Sequence, residues 1–328
     1  MIIRDKIVYV YDIEVFPNVF HCTVKNTETG ELHKFEISCR RNQLDELVNF
    51  FHTVNTDYTF GDLYTTKIQL NTDKLFCGYN NLHYDNPIIN YIIDYYVVMK
   101  YKGYRDICRS IFNLSKVITT SSEDDIRAWS KWKYMICFDS FDILTMLYSN
   151  KLRVGLKEIQ VTMQYRNVQE FVADWQADLP ENQIDSMIEY NINDVNSTEE
   201  LLNRCKKDVD LRLAIEDEYG VRVLSKDGVN IGMKILTQKY LEKTGQTWYD
   251  IKDLRSPMDV IPLNKVILPF IKYDSPILQK VLDDMKSQIV SPGRKGYENK
   301  FIFEGLRYSV GVGGIHSVND PEIVIPKE

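Results

Sequence analysis

The sequence predicts an α/β protein built on a mixed central sheet, with antiparallel opening strands and flanking helices. Three observations carry that expectation. The chain opens on short runs rich in β-branched and aromatic residues; longer stretches with helical apolar spacing follow; and further short apolar runs fall between those stretches.

Residues 6–13 read as the first strand, with Ile7, Val8, Val10 and Ile13 among interleaved tyrosines. Residues 18–25 form a second strand, Asn26-Thr27-Glu28-Thr29-Gly30 is turn chemistry, and residues 31–37 return as a third. Leu44, Leu47, Val48 and Phe51 give residues 42–52 helical spacing. A short apolar strand over 74–79 precedes a helix from about Asn86 to Lys100, with Pro87 in its first turn, where the missing N–H costs nothing. Residues 134–138 read as another buried strand, Phe141–Tyr148 as a helix, and 155–164 and 182–204 as further helices. The character changes near residue 224. Beyond it a helix over Asp227–Leu241 leads into a stretch punctuated by Pro257, Pro262, Pro269, Pro276, Pro292 and the Gly293–Lys295 turn. The expected organisation is therefore one domain over 1–224 and a helical and irregular region over 225–328.

Bulk properties exclude several classes. A length of 328 residues suffices for one large domain or two medium ones. The net charge of −7 argues against a basic protein that coats nucleic acid, though an enzyme with acidic metal ligands is compatible with it. The 6 cysteines show no zinc-ligand or thioredoxin spacing and read as reduced core residues of a cytosolic protein. Met1-Ile2-Ile3-Arg4-Asp5-Lys6 is not a signal peptide, and no apolar run reaches membrane-spanning length.

Three acidic segments stand out. Asp12 and Glu14 lie two apart on the first strand, so both point to one face, in the apolar surround of Tyr9–Phe16. Like charges that share a buried site need something positive between them, and a divalent cation is the natural solution. Two solvated acids at a strand end are the plainer alternative. Asn81-Leu82-His83-Tyr84-Asp85 follows the 74–79 strand, where Asp85 alone would read as a helix cap. Tyr190 and Asp194 share one face of an otherwise apolar helix containing Ile188, Ile192 and Val195.

Taken in order, Asp-x-Glu, Asn-x-x-Tyr-Asp and Tyr-x-x-x-Asp resemble the three motifs of the DEDD exonuclease superfamily, tyrosine subtype. Tyr11–Asn18 resembles the opening motif of phage-type DNA polymerases, and Gly155–Gln160 is similar to a segment between their second and third exonuclease motifs. Arg294–Glu298 and Gly311–Ser317 resemble their linker into the palm domain. The resemblance implies a ribonuclease H-like exonuclease fold, with a linker toward a palm that this sequence lacks, since no Asp-x-x-Ser-Leu-Tyr-Pro motif follows the Gly-Gly-x-His segment. It also implies a 3′→5′ proofreading exonuclease without DNA synthesis, acting in a bacterial host cytoplasm on single-stranded DNA 3′ ends. Asp12, Glu14, Asp85 and Asp194 would hold two Mg²⁺ or Mn²⁺ ions, and Tyr190 would orient the attacking water. Asn81 would contact the terminal nucleotide and Lys157 a phosphate or the tyrosine. Phe16 and Tyr84 beside the acids read first as core packing, and are also candidates to stack on bases. Asp139 reads as a cap for the helix after it. Residues from about 296 onward would be a docking edge for a polymerase palm or a separate polymerase subunit. A non-catalytic module of the same fold that binds single-stranded DNA or a partner is the competing reading.

Overall fold

In a computed structural model the described residues are 1–52, 73–120, 127–148, 154–254, 259–291, 297–311 and 314–320. Pro257, Pro292, the Gly293–Lys295 turn, Gly296, Val312, Gly313 and the closing Pro326-Lys327-Glu328 lie outside them. The chain divides into two units, Met1–Gln246 and Thr247–Glu328.

The first unit is α/β. After the two-residue β1 (Ile2–Ile3), β2 (Lys6–Phe16) forms antiparallel ladders with β1 and with β3 (Val19–Asn26), and β3 with β4 (Leu32–Ile37). Helix α1 (Leu44–Phe51) precedes β5 (Lys74–Gly78), which joins β2 in parallel. Beyond β5 come α2 (Asp85–Asp94), α3 (Tyr96–Met99), α4 (Tyr104–Thr120) and α5 (Ser130–Tyr134). The short β6 (Ser140–Asp142), parallel to β5, completes a mixed six-stranded sheet in the order β4-β3-β2-β5-β6, with β1 also on β2. Helices α6 (Ile143–Tyr148), α7 (Leu156–Thr162), α8 (Ile184–Arg204), α9 (Lys206–Tyr219) and α10 (Gly228–Thr244) follow. Among the described residues no helix is long and apolar enough to cross a membrane.

The alternation of β2 builds the layers. Tyr9, Tyr11, Ile13 and Val15 pack on one face with Leu47 and Phe51 of α1, Ile88 and Ile92 of α2 and Ile107 of α4. Val8 and Val10 face the other way, against Ile159 of α7, Val195, Leu201 and Leu202 of α8 and Val209 of α9. A strand covered on both faces must be apolar on both, and β2 is so over its first half.

Two expectations need correction. Residues 134–138 are not a strand: α5 ends at Tyr134, and the Asn90 side chain binds the Trp132 and Met135 carbonyls at 2.9 and 2.8 Å, which fastens this segment to α2 instead of the sheet. The expected helix from Asn86 to Lys100 is divided at Tyr95 into α2 and α3.

The second unit contains α11 (Trp248–Ile251), β7 (Ile261–Pro262), α12 (Leu263–Val266), α13 (Pro276–Lys286) and β8 (Ile289–Val290), with β7 and β8 paired. Its end is not irregular. β9 (Glu298–Phe303), β10 (Leu306–Gly311) and β11 (Gly314–Ser317) form an antiparallel sheet. The β9–β10 turn, Glu304-Gly305, has φ of 50° and 81°, the paired left-handed geometry that suits the twist of a two-residue hairpin.

Candidate active site

The second half of β2 continues the Val8–Val10 face, so the same alternation that buries those valines carries Asp12 and Glu14 inward. Helix α8 covers that face. Its buried stripe runs Ile184, Met187, Asn191, Asp194, Val195, Thr198, Leu201 and Leu202, at steps of three and four. The apolar ends fix the helix in place; its polar middle then faces the acids. Asn191 Nδ2 donates to Asp12 Oδ2 at 2.7 Å. Asp194 Oδ1 accepts Lys157 Nζ at 2.5 Å and Gln160 Nε2 at 3.0 Å, both from one face of α7. The Lys157 ammonium also lies 4.4 Å from the centre of the Tyr190 ring.

Asp85 reaches the group differently. It is the first residue of α2, not its cap, which is Tyr84, and its Oδ1 accepts the Ile13 amide at 3.3 Å, between Asp12 and Glu14 on β2. The turn that delivers it is held from below. Asp142, fully buried, accepts the Asn80 and Leu82 amides at 2.9 and 3.3 Å and the Leu144 amide at 2.9 Å. Asn80 adopts φ of 65°, which reverses the chain here. A Cβ on Gly78 would stand 2.8 Å from the Asn81 Cβ, so only glycine lets the turn close. Asp142 is thus the acid that caps α6, through Leu144. Asp139, expected as the cap, instead pairs with Lys6 and Arg222 at 2.8 Å each.

The carboxylates repel one another in a place where Asp85 and Asp194 are buried and Asp12 and Glu14 half-buried. Burial pushes Asp12 well above the ordinary carboxylate range, and Asp85, Glu14 and Asp194 add to it while Lys157 opposes. Burial, then Asp194 and Asp85, raises Glu14 to about 8, against the lowering effects of Asn191 and Lys157. Burial raises Asp85 to about 7; backbone hydrogen bonds oppose the rise and Asp142 adds to it. The Tyr190 phenol is raised too, by burial and then by Asp194, so it stays protonated and able to donate. Asn81 Oδ1, Gln160 Oε1, Asn191 Oδ1 and Asn193 Nδ2 are buried without partners, on residues of these same segments.

The sequence-derived set therefore divides. Asp12, Glu14, Asp85, Asp194, Tyr190 and Lys157 are brought together. Asn81 is buried beneath the turn, its Nδ2 donating to Asn86 at 3.1 Å. Phe16 lies in a core cluster with Val19, Leu179, Ile184 and Met187, edge-on to Phe171, so core packing describes it. Tyr84 packs on the apolar core, its hydroxyl 2.8 Å from Ser115 Oγ. Asn191 and Gln160 were not anticipated as site residues, and Asp142 stood out only as an acid that flanks the strand-to-helix junction with Asp139. The first two were legible as residues three positions from Asp194 and Lys157.

All-oxygen donors suit a hard divalent cation. Among the described residues, no three His, Cys, Asp or Glu side chains are set to hold one ion as they stand. Comparison with protein-family models, curated proteins and solved structures finds no match.

Proposed function

We propose that the first unit is a metal-dependent 3′→5′ exodeoxyribonuclease with a ribonuclease H-like fold, similar to the proofreading region of phage-type DNA polymerases. One observation supports it above the others: acids from β2, α2 and α8 converge in an enclosed place where the one basic group touching them is Lys157 among the described residues. Structural acids are not left so poorly compensated, and strongly perturbed carboxylates mark functional sites.

Asp12, Glu14, Asp85 and Asp194 would hold Mg²⁺ or Mn²⁺, which in such sites supplies Lewis-acid stabilisation of the attacking and leaving oxygens. Mg²⁺ commonly takes one or two protein carboxylates, with phosphate oxygens and waters completing its shell, so a three-carboxylate cage is not required. The protonated Tyr190 hydroxyl orients the water that attacks phosphorus as the P–O3′ bond breaks. Lys157, released from Asp194, would be the cation available to a phosphate.

The test is a 5′-labelled single-stranded DNA oligomer and its RNA twin, incubated with Mg²⁺, Mn²⁺ or EDTA. Stepwise shortening from the 3′ end, on DNA and only with metal, is the expected result. An intact oligomer under every condition leaves the non-catalytic binding module as the reading.

A further inference from the structure

A second surface, away from the acids, has the chemistry of a strand-binding platform. The C-terminal end of α2, with α3 and α5, gathers Tyr91, Tyr95 and Trp132 with centroids 4.9, 4.9 and 6.1 Å apart. Asp94 fixes the Trp132 indole through Nε1 at 3.0 Å and receives Lys131 Nζ at 2.6 Å, so the one acid within the ring cluster is neutralised. The Asn90 bonds to the Trp132 and Met135 carbonyls anchor α5 from beneath.

Lysines border the rings. Lys131 lies 5.9 Å from both the Tyr95 and the Trp132 ring centres, and Lys100 lies 5.7 Å from Tyr96 and 5.0 Å from Tyr101. Lys100 and Lys102 are exposed, as is Tyr101 at 81%. Asp45 accepts a hydrogen bond from Tyr96 and Asp94 holds Lys131, so among the described residues Lys100 and Lys102 are the exposed cations left beside the rings.

We infer that this α2–α3–α5 surface binds single-stranded nucleic acid, with bases stacked on Tyr95, Trp132 and Tyr101 and phosphates on Lys100 and Lys102, Lys131 being held by Asp94. Stacking needs no sequence, and lysines beside rings follow a backbone; a peptide partner would be served by the rings but not by this charge. The platform stands one helix from the carboxylates. Asp85 opens α2 and Tyr95 closes it, about 15 Å apart at 1.5 Å per residue. The inference needs no cleavage and stands apart from the nuclease reading.

The experiment uses the full chain in EDTA and a fluorescein-labelled 15-mer of deoxythymidine, read by anisotropy across a salt series and by intrinsic tryptophan fluorescence. Binding should quench tryptophan, and Trp132→Phe should remove most of that quench. Lys100→Glu with Lys102→Glu should weaken binding at least tenfold and flatten the salt slope by roughly 1.4, about 0.7 for each phosphate no longer neutralised. Tyr95→Ser should weaken binding about fivefold with the slope kept, the mark of a stacked base. Circular dichroism melts confirm that each variant is folded. Unchanged affinity and slope in the lysine pair, or no binding of the 15-mer by the wild-type chain, overturns the inference. Cleavage of a trinucleotide with Mg²⁺, too short to span both places, reports on the carboxylates separately.

Discussion

Two acid groups enclosed in the first unit differ in a way that separates structure from function. Glu36 is buried, yet its pKa lies below the ordinary value: burial pushes it up, and the Arg40 and Ser38 hydrogen bonds outweigh the push. Arg40 grips both Glu36 oxygens at 3.0 Å and reaches Asp185 at 2.8 Å. Glu14 is enclosed as well and is raised to about 8, with acids as neighbours. The same residue type, on adjoining regions of one sheet, is completed by protein partners in one place and left short of positive charge in the other. The fold supplies a guanidinium to Glu36, and among the described residues it supplies none to Glu14.

The comparison breaks most readily at the metal acids. Asp12→Ala, Glu14→Ala, Asp85→Ala and Asp194→Ala should each cut Mn²⁺-dependent cleavage by at least roughly 10³-fold, equivalent to several kcal/mol of metal stabilisation removed. Glu14→Ala should melt, in EDTA, no lower than the wild type, because a repulsion is relieved, whereas Asp194→Ala also gives up the Lys157 and Gln160 bonds and should melt lower. Wild-type cleavage by Asp12→Ala ends the assignment. Tyr190→Phe keeps the ring and removes the hydroxyl, and should slow single-turnover cleavage on the order of 10²-fold with DNA affinity little changed. A rate equal to wild type makes Tyr190 a packing residue.

Stability against pH should run in opposite directions for the two groups. Glu14 and Asp85 are raised to about 8 and about 7 from ordinary values of 4.5 and 3.8. The folded protein therefore keeps protons that the unfolded chain releases, and in EDTA this contribution is lost as pH rises from about 4 through about 8. Glu36 is lowered, so its contribution is present above 4.5 and lost only as pH falls through its folded value. Urea melts at pH 5, 6.5 and 8 should show the decline in EDTA, and Mg²⁺ should reduce it by binding the ionised acids. A flat EDTA profile would mean that the carboxylates are better compensated than the structure indicates. The smallest effect is Arg40→Ala, expected to cost about 2 kcal/mol by leaving Glu36 unpaired while cleavage persists. A loss of cleavage there at unchanged stability would merge the two groups.

Legibility followed the range of the interactions. The alternation in β2 and the helical step between Tyr190 and Asp194 are properties of neighbours in sequence, and both were readable. The 134–138 segment misled because a short apolar run fits a strand as well as a helix end, and the Asn90 bonds that decided it come from another element. The sequence left Phe16 between core packing and base stacking, because its place in the chain beside the acids says nothing of Leu179 and Met187, which enclose it.

By itself the sequence determined that Asp12 and Glu14 share a face, that Asp85 opens a helix after a strand, and that Asp194 and Tyr190 point one way, because dihedral periodicity fixes the direction of side chains within an element. Only the tertiary structure decided that these faces meet. The apolar ends of α8 pack on Val8 and Val10 at one end and on Phe16 at the other, and that docking sets Asn191 against Asp12. It also decided how the acids are satisfied, because whether Asp142 finds three backbone amides while Glu14 finds the Asn191 side chain and two neighbouring acids depends on distances across the fold that no local pattern encodes.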